Sequence, residues 1–110
     1  MPLFERTRIE IFIPELALPA YQDILRAFQR EFAFAFGGCS TLTGVQGHYV
    51  SISGQLIPDT INLVFVDIPY SLNSDRETLT IYCDYLEEVA SLALEEETVL
   101  ITASPCYHTG

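Results

Sequence analysis

The stretch TINLVFVDI, residues 60–68, decides the fold. A strand places alternate side chains on opposite faces, and here both rows are apolar: Leu63 and Phe65 on one side, Val64, Val66 and Ile68 on the other. A strand of this kind must be covered on both faces or nearly so, which makes it central in a sheet. Upstream, Gly54-Gln55 suggests a reversal, and residues 48–53 form a short strand with His48, Val50 and Ile52 on one side. The two segments therefore read as a hairpin.

Working outward, residues 8–13 alternate, with Ile9, Ile11 and Ile13 opposed to Arg8, Glu10 and Phe12. That is a half-buried strand closed by Pro14. After Pro19, a favourable first helical position, Tyr21, Ile24, Leu25, Phe28, Phe32 and Phe36 recur at helical spacing. Gly37-Gly38 supplies the left-handed residue that caps a helix near Phe36, although Phe32, Phe34 and Phe36 also alternate as a strand would. Ser74 and Glu77 fit the S-x-x-E capping box of a second helix, carried by Leu79, Tyr82, Cys83, Leu86, Val89, Ala90 and Ala93. Glu95-Glu96-Glu97 marks an exposed corner, residues 98–103 a last strand, and residues 104–110 a short tail.

Strand, helix, strand, strand, helix, strand is the order of an α+β, ferredoxin-like βαββαβ sandwich: a four-stranded antiparallel sheet with both helices on one face. One domain is expected from 110 residues, 49% of them hydrophobic. Phe12, Leu100 and one of the two apolar rows of residues 60–68 are left on the other face. An apolar face of that breadth implies a partner, and a second copy of the chain is the simplest one. Ile81, Tyr85 and Leu92, opposite the main stripe of the second helix, form another candidate contact patch.

Fifteen acids face five arginines and no lysine, for a net charge of -10. Nucleic acid and anionic membranes are met through clustered Lys and Arg, so neither is expected as a partner. The acidity is concentrated: residues 56–110 hold ten acids and Arg76, whereas residues 1–55 hold five acids and four arginines. A solvated, solubilising surface accounts for this, while a basic protein could also use it. No long apolar run follows the N-terminal charges and none is long enough to span a bilayer, so a cytoplasmic protein is expected. Three widely spaced cysteines, an odd number, agree with a reducing compartment.

Five of the six glycines fall between residues 31 and 55. GGCSTLTGVQG lacks the lysine of a phosphate loop and follows a helix where such a loop opens one, so turns and bends explain it. Cys106-Tyr107-His108, with Cys39 and His48 elsewhere, offers metal-ligand chemistry, but no paired C-x-x-C or H-x-x-x-H spacing accompanies it. No metal and no cofactor are therefore expected. Cys39 as nucleophile with His48 as base is the one plausible catalytic pair; a small apolar cysteine beside a strand histidine is the plainer account. Asp67 is the single acid in the central run. It sits at an exposed strand end, pairs with an arginine such as Arg8, or serves as a carboxylate in a cleft.

The series FGGCSTLTGVQGHY, followed by a hairpin with SGQLI, resembles an uncharacterised family of small bacterial ferredoxin-like proteins. The matching residues are Gly37, Gly38, Thr41, Gly47 and Tyr49, the last more often tryptophan in that family. The resemblance implies the fold and brings no activity or catalytic residue. A more distant similarity is to nitrogen-regulatory signalling proteins, which share the fold and form trimers. The chain lacks their long loop and phosphate-gripping basic residues, so nucleotide sensing is not carried over. Two functions of different class follow. One is a non-catalytic homo-oligomeric module that binds a protein or small metabolite. The other is an enzyme of the dimeric α+β-barrel type, with an apolar pocket between sheets and His48 or Asp67 moving a proton.

Overall fold

The computed structural model describes residues 2–94 and 99–109 of the chain. Its elements are β1 (Phe4–Pro14), α1 (Pro19–Phe36), β2 (Ser40–Val50), β3 (Leu56–Ile68), α2 (Arg76–Leu94) and β4 (Leu100–His108). The strands form one sheet in the order β2-β3-β1-β4, every neighbouring pair antiparallel. This is the ferredoxin-like arrangement, with β3 and β1 in the middle.

The core occupies one face of that sheet. Ile9, Ile11 and Ile13 of β1 and Val64, Val66 and Ile68 of β3 meet Tyr21, Ile24, Phe28 and Phe32 of α1 and Leu79, Leu86, Ala90 and Leu94 of α2. Each large apolar side chain so buried contributes about 1.5–3 kcal/mol relative to exposure. Phe34, between two inward-facing phenylalanines, is 87% exposed, which settles residues 32–36 as helix. The helix ends where Gly37 turns left-handed at φ 88° and donates its amide to the Ala33 carbonyl.

Among the described residues no helix covers the opposite face. By strand alternation it carries Phe12 of β1, Leu63, Phe65 and Asp67 of β3, and Leu100 of β4, together with Arg6, Arg8 and Glu10. Leu63 and Phe65 are thus the row of the central strand that the helices leave uncovered. Leu63 is buried at the middle of this face, Phe12 and Phe65 are half-buried, and Leu100 is 60% exposed.

Four local expectations are corrected. β2 starts at Ser40, ahead of residue 48, and takes in the glycine-rich stretch; a bulge between Leu42 and Val45, with Gly44 at φ 70°, absorbs the irregularity. Ser74 does not head α2: Asp75 precedes its first residue, accepts the Ser71 amide at Oδ2 and receives the Leu79 amide on its carbonyl. The stripe of α2 closes on Leu94 and not on Ala93, which is exposed. Residues 104–108 are not a tail but the second half of β4, paired from Arg8↔Ser104 to Phe4↔His108. Pro105 does not stop the strand because β4 lies at the sheet edge, where an absent N–H can face solvent. The acidic corner at Glu95-Glu96-Glu97 lies outside the described residues.

Candidate functional site

Near the end of β3, on the uncovered face, charged and ligating side chains from three strands converge. Arg8 stands directly opposite Asp67 in the β1–β3 register. Its Nε donates to Asp67 Oδ1 at 2.7 Å and its Nη2 to Oδ2 at 2.9 Å, a two-pronged ion pair. The guanidinium also lies 4.8 Å from the centre of the Phe65 ring, so one side of Arg8 rests on an aromatic face. Asp67 is only 14% exposed while Arg8 is 39% exposed: the carboxylate is the sheltered member. Arg8 is the main reason the Asp67 pKa falls to about 2, against an opposing effect of burial.

From β4, His108 donates Nε2–H to Asp67 Oδ2 at 2.7 Å. Cys106, two residues earlier and so on the same face of the strand, places Sγ 3.9 Å from that same Nε2. Burial, then the Asp67 carboxylate, pushes the Cys106 thiol up. A catalytic Cys-His-Asp relay needs the acid on one imidazole nitrogen and the thiol on the other. Here both contacts fall on Nε2, so His108 cannot take a proton from Cys106 while Asp67 holds it.

Beside the cluster is a cleft of about 360 Å³ bounded by Phe36, Gly37, Gly38, Cys39, Ser40, Phe65, Val66 and Asp67. The open helix-to-strand turn thus borders Asp67 on the β2 side of β3, while the carboxylate itself is held by Arg8 and His108. A second concavity, about 240 Å³, lies between α2 and β4 and is lined by Arg76, Cys83, Asp84 and Ile101 among others.

The other sequence candidates are dispersed. Cys39 donates its thiol weakly to the Gln29 carbonyl at 3.6 Å and packs against the core. His48 is exposed and pairs with Pro58, far down the hairpin. Seven residues of β3 separate that position from Phe65, the partner of Ser40, so Cys39 and His48 are about 23 Å apart along the sheet. His48 and Asp67 are farther still. Phe12 and Leu100 pair with each other on the uncovered face, and Ile81, Tyr85 and Leu92 are exposed along α2. Tyr85 also stacks on Tyr82, whose hydroxyl donates to Glu31 Oε1 of α1 at 3.0 Å.

The partnership of Asp67 with Arg8 was open to inference from sequence. That of Asp67 with Cys106 and His108 depends on residues 104–108 continuing β4, which Pro105 disguises in the sequence. The period of two in Cys106-x-His108 was the available signal.

No family model matches the chain, and no curated protein matches it. Among solved structures it is similar to a phage SAM lyase in complex with S-methyl-5'-thioadenosine, at a TM-score of 0.54 and 15% identity, over 96% of this chain and 90% of that one. At that identity the likeness is one of fold: a small α+β protein of the same architecture.

Proposed function

We propose that the chain is a non-catalytic binding module for a protein or small metabolite, assembled from copies of itself through the uncovered face of the sheet. The observation that carries this reading is the apolar row Phe12, Leu63, Phe65 and Leu100 on a face that neither helix covers. A 110-residue chain has little spare stability, and burying the still exposed parts of Phe12, Phe65 and Leu100 against another copy would add to it. Charge also favours a like partner. The uncovered rows carry Arg6 and Arg8 against Glu10, Asp59 and Asp67, a balance of -1 out of -10 for the chain. Copies meeting through this face avoid the repulsion that their remaining surfaces would impose. The exposed Ile81, Tyr85 and Leu92 of α2 then stay free for another protein.

Sedimentation equilibrium tests the assembly. The expected result is an oligomer that the double variant Phe12→Arg, Leu100→Arg converts to folded monomers. A wild-type chain that remains monomeric at the highest attainable concentration overturns it.

One observation favours the enzymatic alternative: Asp67, which shares a 2.7 Å hydrogen bond with His108, also borders an open cleft. The similar structure is a lyase holding a thioether nucleoside, so the architecture can house such a ligand. Calorimetric titration with S-methyl-5'-thioadenosine discriminates. Saturable binding that Asp67→Asn abolishes, with conversion of the bound nucleoside seen by chromatography, supports the enzyme reading; binding without conversion supports the metabolite-binding module.

A further inference from the structure

We propose that Asp67, Cys106 and His108 form a mononuclear site for a borderline-to-soft divalent cation of the zinc class. Oδ of Asp67, Sγ of Cys106 and a ring nitrogen of His108 all lie within 4.8 Å of one another. A carboxylate oxygen, a thiolate and an imidazole are a donor set that zinc-class ions accept, whereas the hard cations calcium and magnesium take oxygen alone.

The geometry is close to what coordination requires. Metal–ligand bonds of about 2.0–2.3 Å in a tetrahedral site set donor atoms roughly 3.3–3.8 Å apart. Cys106 Sγ and His108 Nε2 are 3.9 Å apart, and Nε2 is 2.7 Å from Asp67 Oδ2. An ion between them replaces the Nε2–H···O contact and opens it by less than about an ångström. His108, 44% exposed, has room to make that shift. The convergence of thiol and carboxylate on one imidazole nitrogen defeats a catalytic relay, yet it is what shared ligation of a single ion demands.

The supporting contacts are in place as well. Arg8 holds both carboxylate oxygens of Asp67, Nε on Oδ1 at 2.7 Å and Nη2 on Oδ2 at 2.9 Å, orienting the group as second-sphere partners of metal ligands do; Oδ2, which also meets His108, keeps a lone pair for the ion. Cys106 and His108 come from one strand at i and i+2, and Asp67 from the central strand, so rigid sheet positions all three. Binding releases the Cys106 thiol proton to solvent and moves the His108 ring proton from Nε2, where it faces Asp67, to Nδ1 by exchange with water, freeing Nε2 for the metal. Three protein ligands leave a fourth position for water or an incoming molecule, as in zinc sites that do chemistry.

Cobalt titration of the reduced full-length chain tests the site. Co2+ alone is expected to bind with a stoichiometry of one per chain, to give a cobalt–thiolate charge-transfer band, and to be displaced by Zn2+. Cys106→Ser should abolish the band, while the double variant Cys39→Ser, Cys83→Ser keeps it. His108→Ala and Asp67→Asn should each weaken binding at least about tenfold. Far-ultraviolet circular dichroism of every variant confirms that the fold is retained. Absence of the band in the wild-type chain, or its survival in Cys106→Ser, overturns the proposal.

Discussion

Arg8 and Asp67 face each other across the two central strands and are joined by two hydrogen bonds of 2.7 and 2.9 Å. The pair sits where the helices do not reach, so its members must neutralise each other within the sheet face. With Arg8 partly in water, the expected loss on Asp67→Asn is about 1 kcal/mol and no more, as for partly exposed ion pairs. Urea denaturation of the two proteins near neutral pH measures it.

The same pair fixes a pH dependence. Asp67 titrates at about 2 in the folded chain against 3.8 for the free side chain. The group is ionised more readily when folded, so its contribution is present above pH 4 or so and disappears as pH falls through about 2. The stability difference between wild type and Asp67→Asn should therefore shrink on acidification across that window. A difference that stays constant from neutral pH to pH 2 would contradict a lowered Asp67 pKa, and the same comparison in an Arg8→Gln background tests that Arg8 is its main cause.

Phe32 is fully buried and Phe34 is 87% exposed, although the two are two positions apart and would share one face of a strand. Phe32→Ala should cost about 3–5 kcal/mol, enough to unfold a marginal domain, and Phe34→Ala less than about 0.5 kcal/mol. Thermal melts of the two variants report the contrast directly.

Gly37 and Gly38 are adjacent and both open, with nothing within 4 Å of a Cβ built on either. They differ in backbone: only Gly37 is held at positive φ, 88°. Gly37→Ala should lose about 1 kcal/mol from strain in the left-handed region, while Gly38→Ala should be close to neutral. Chemical denaturation distinguishes them.

Local rules carried the fold a long way. Alternation in residues 8–13 and the doubly apolar run of residues 60–68 located the two central strands, because burial there imposes a strict pattern. Helical spacing located Tyr21, Ile24, Phe28 and Phe32 for the same reason. Edge strands are less constrained: β2 holds a bulge and β4 a proline, and alternation in the sequence marks only part of each. The candidate site inherits that ambiguity. Asp67 announced a need for a partner, being an acid in an apolar run, and Arg8 was within reach of inference. Cys106 and His108 gave no such sign, since a neutral thiol and an imidazole near a sheet edge do not demand a charged partner as an acid in an apolar run does. Only the pairing of β4 with β1 along its whole length brings them to Asp67.

That pairing is itself open to test. Residues 104–108 lie against Phe4–Arg8, and Thr7, opposite Pro105, is fully buried with its hydroxyl donating to the Tyr70 carbonyl at 2.7 Å. Ending the chain after Ala103 would strip the outer ladder from half of β1 and expose Thr7 and the loop it holds. Each lost backbone hydrogen bond contributes about 0.5–1.5 kcal/mol, so the truncated chain should be less stable by more than about 2 kcal/mol. A dispensable tail would leave stability unchanged, and guanidinium unfolding of the truncated and full-length chains separates the two outcomes. Amide exchange gives a second readout: the Phe4–Arg8 amides that face β4 should exchange faster after truncation, whereas those of Ile9, Ile11 and Ile13, backed by the core, should keep their protection.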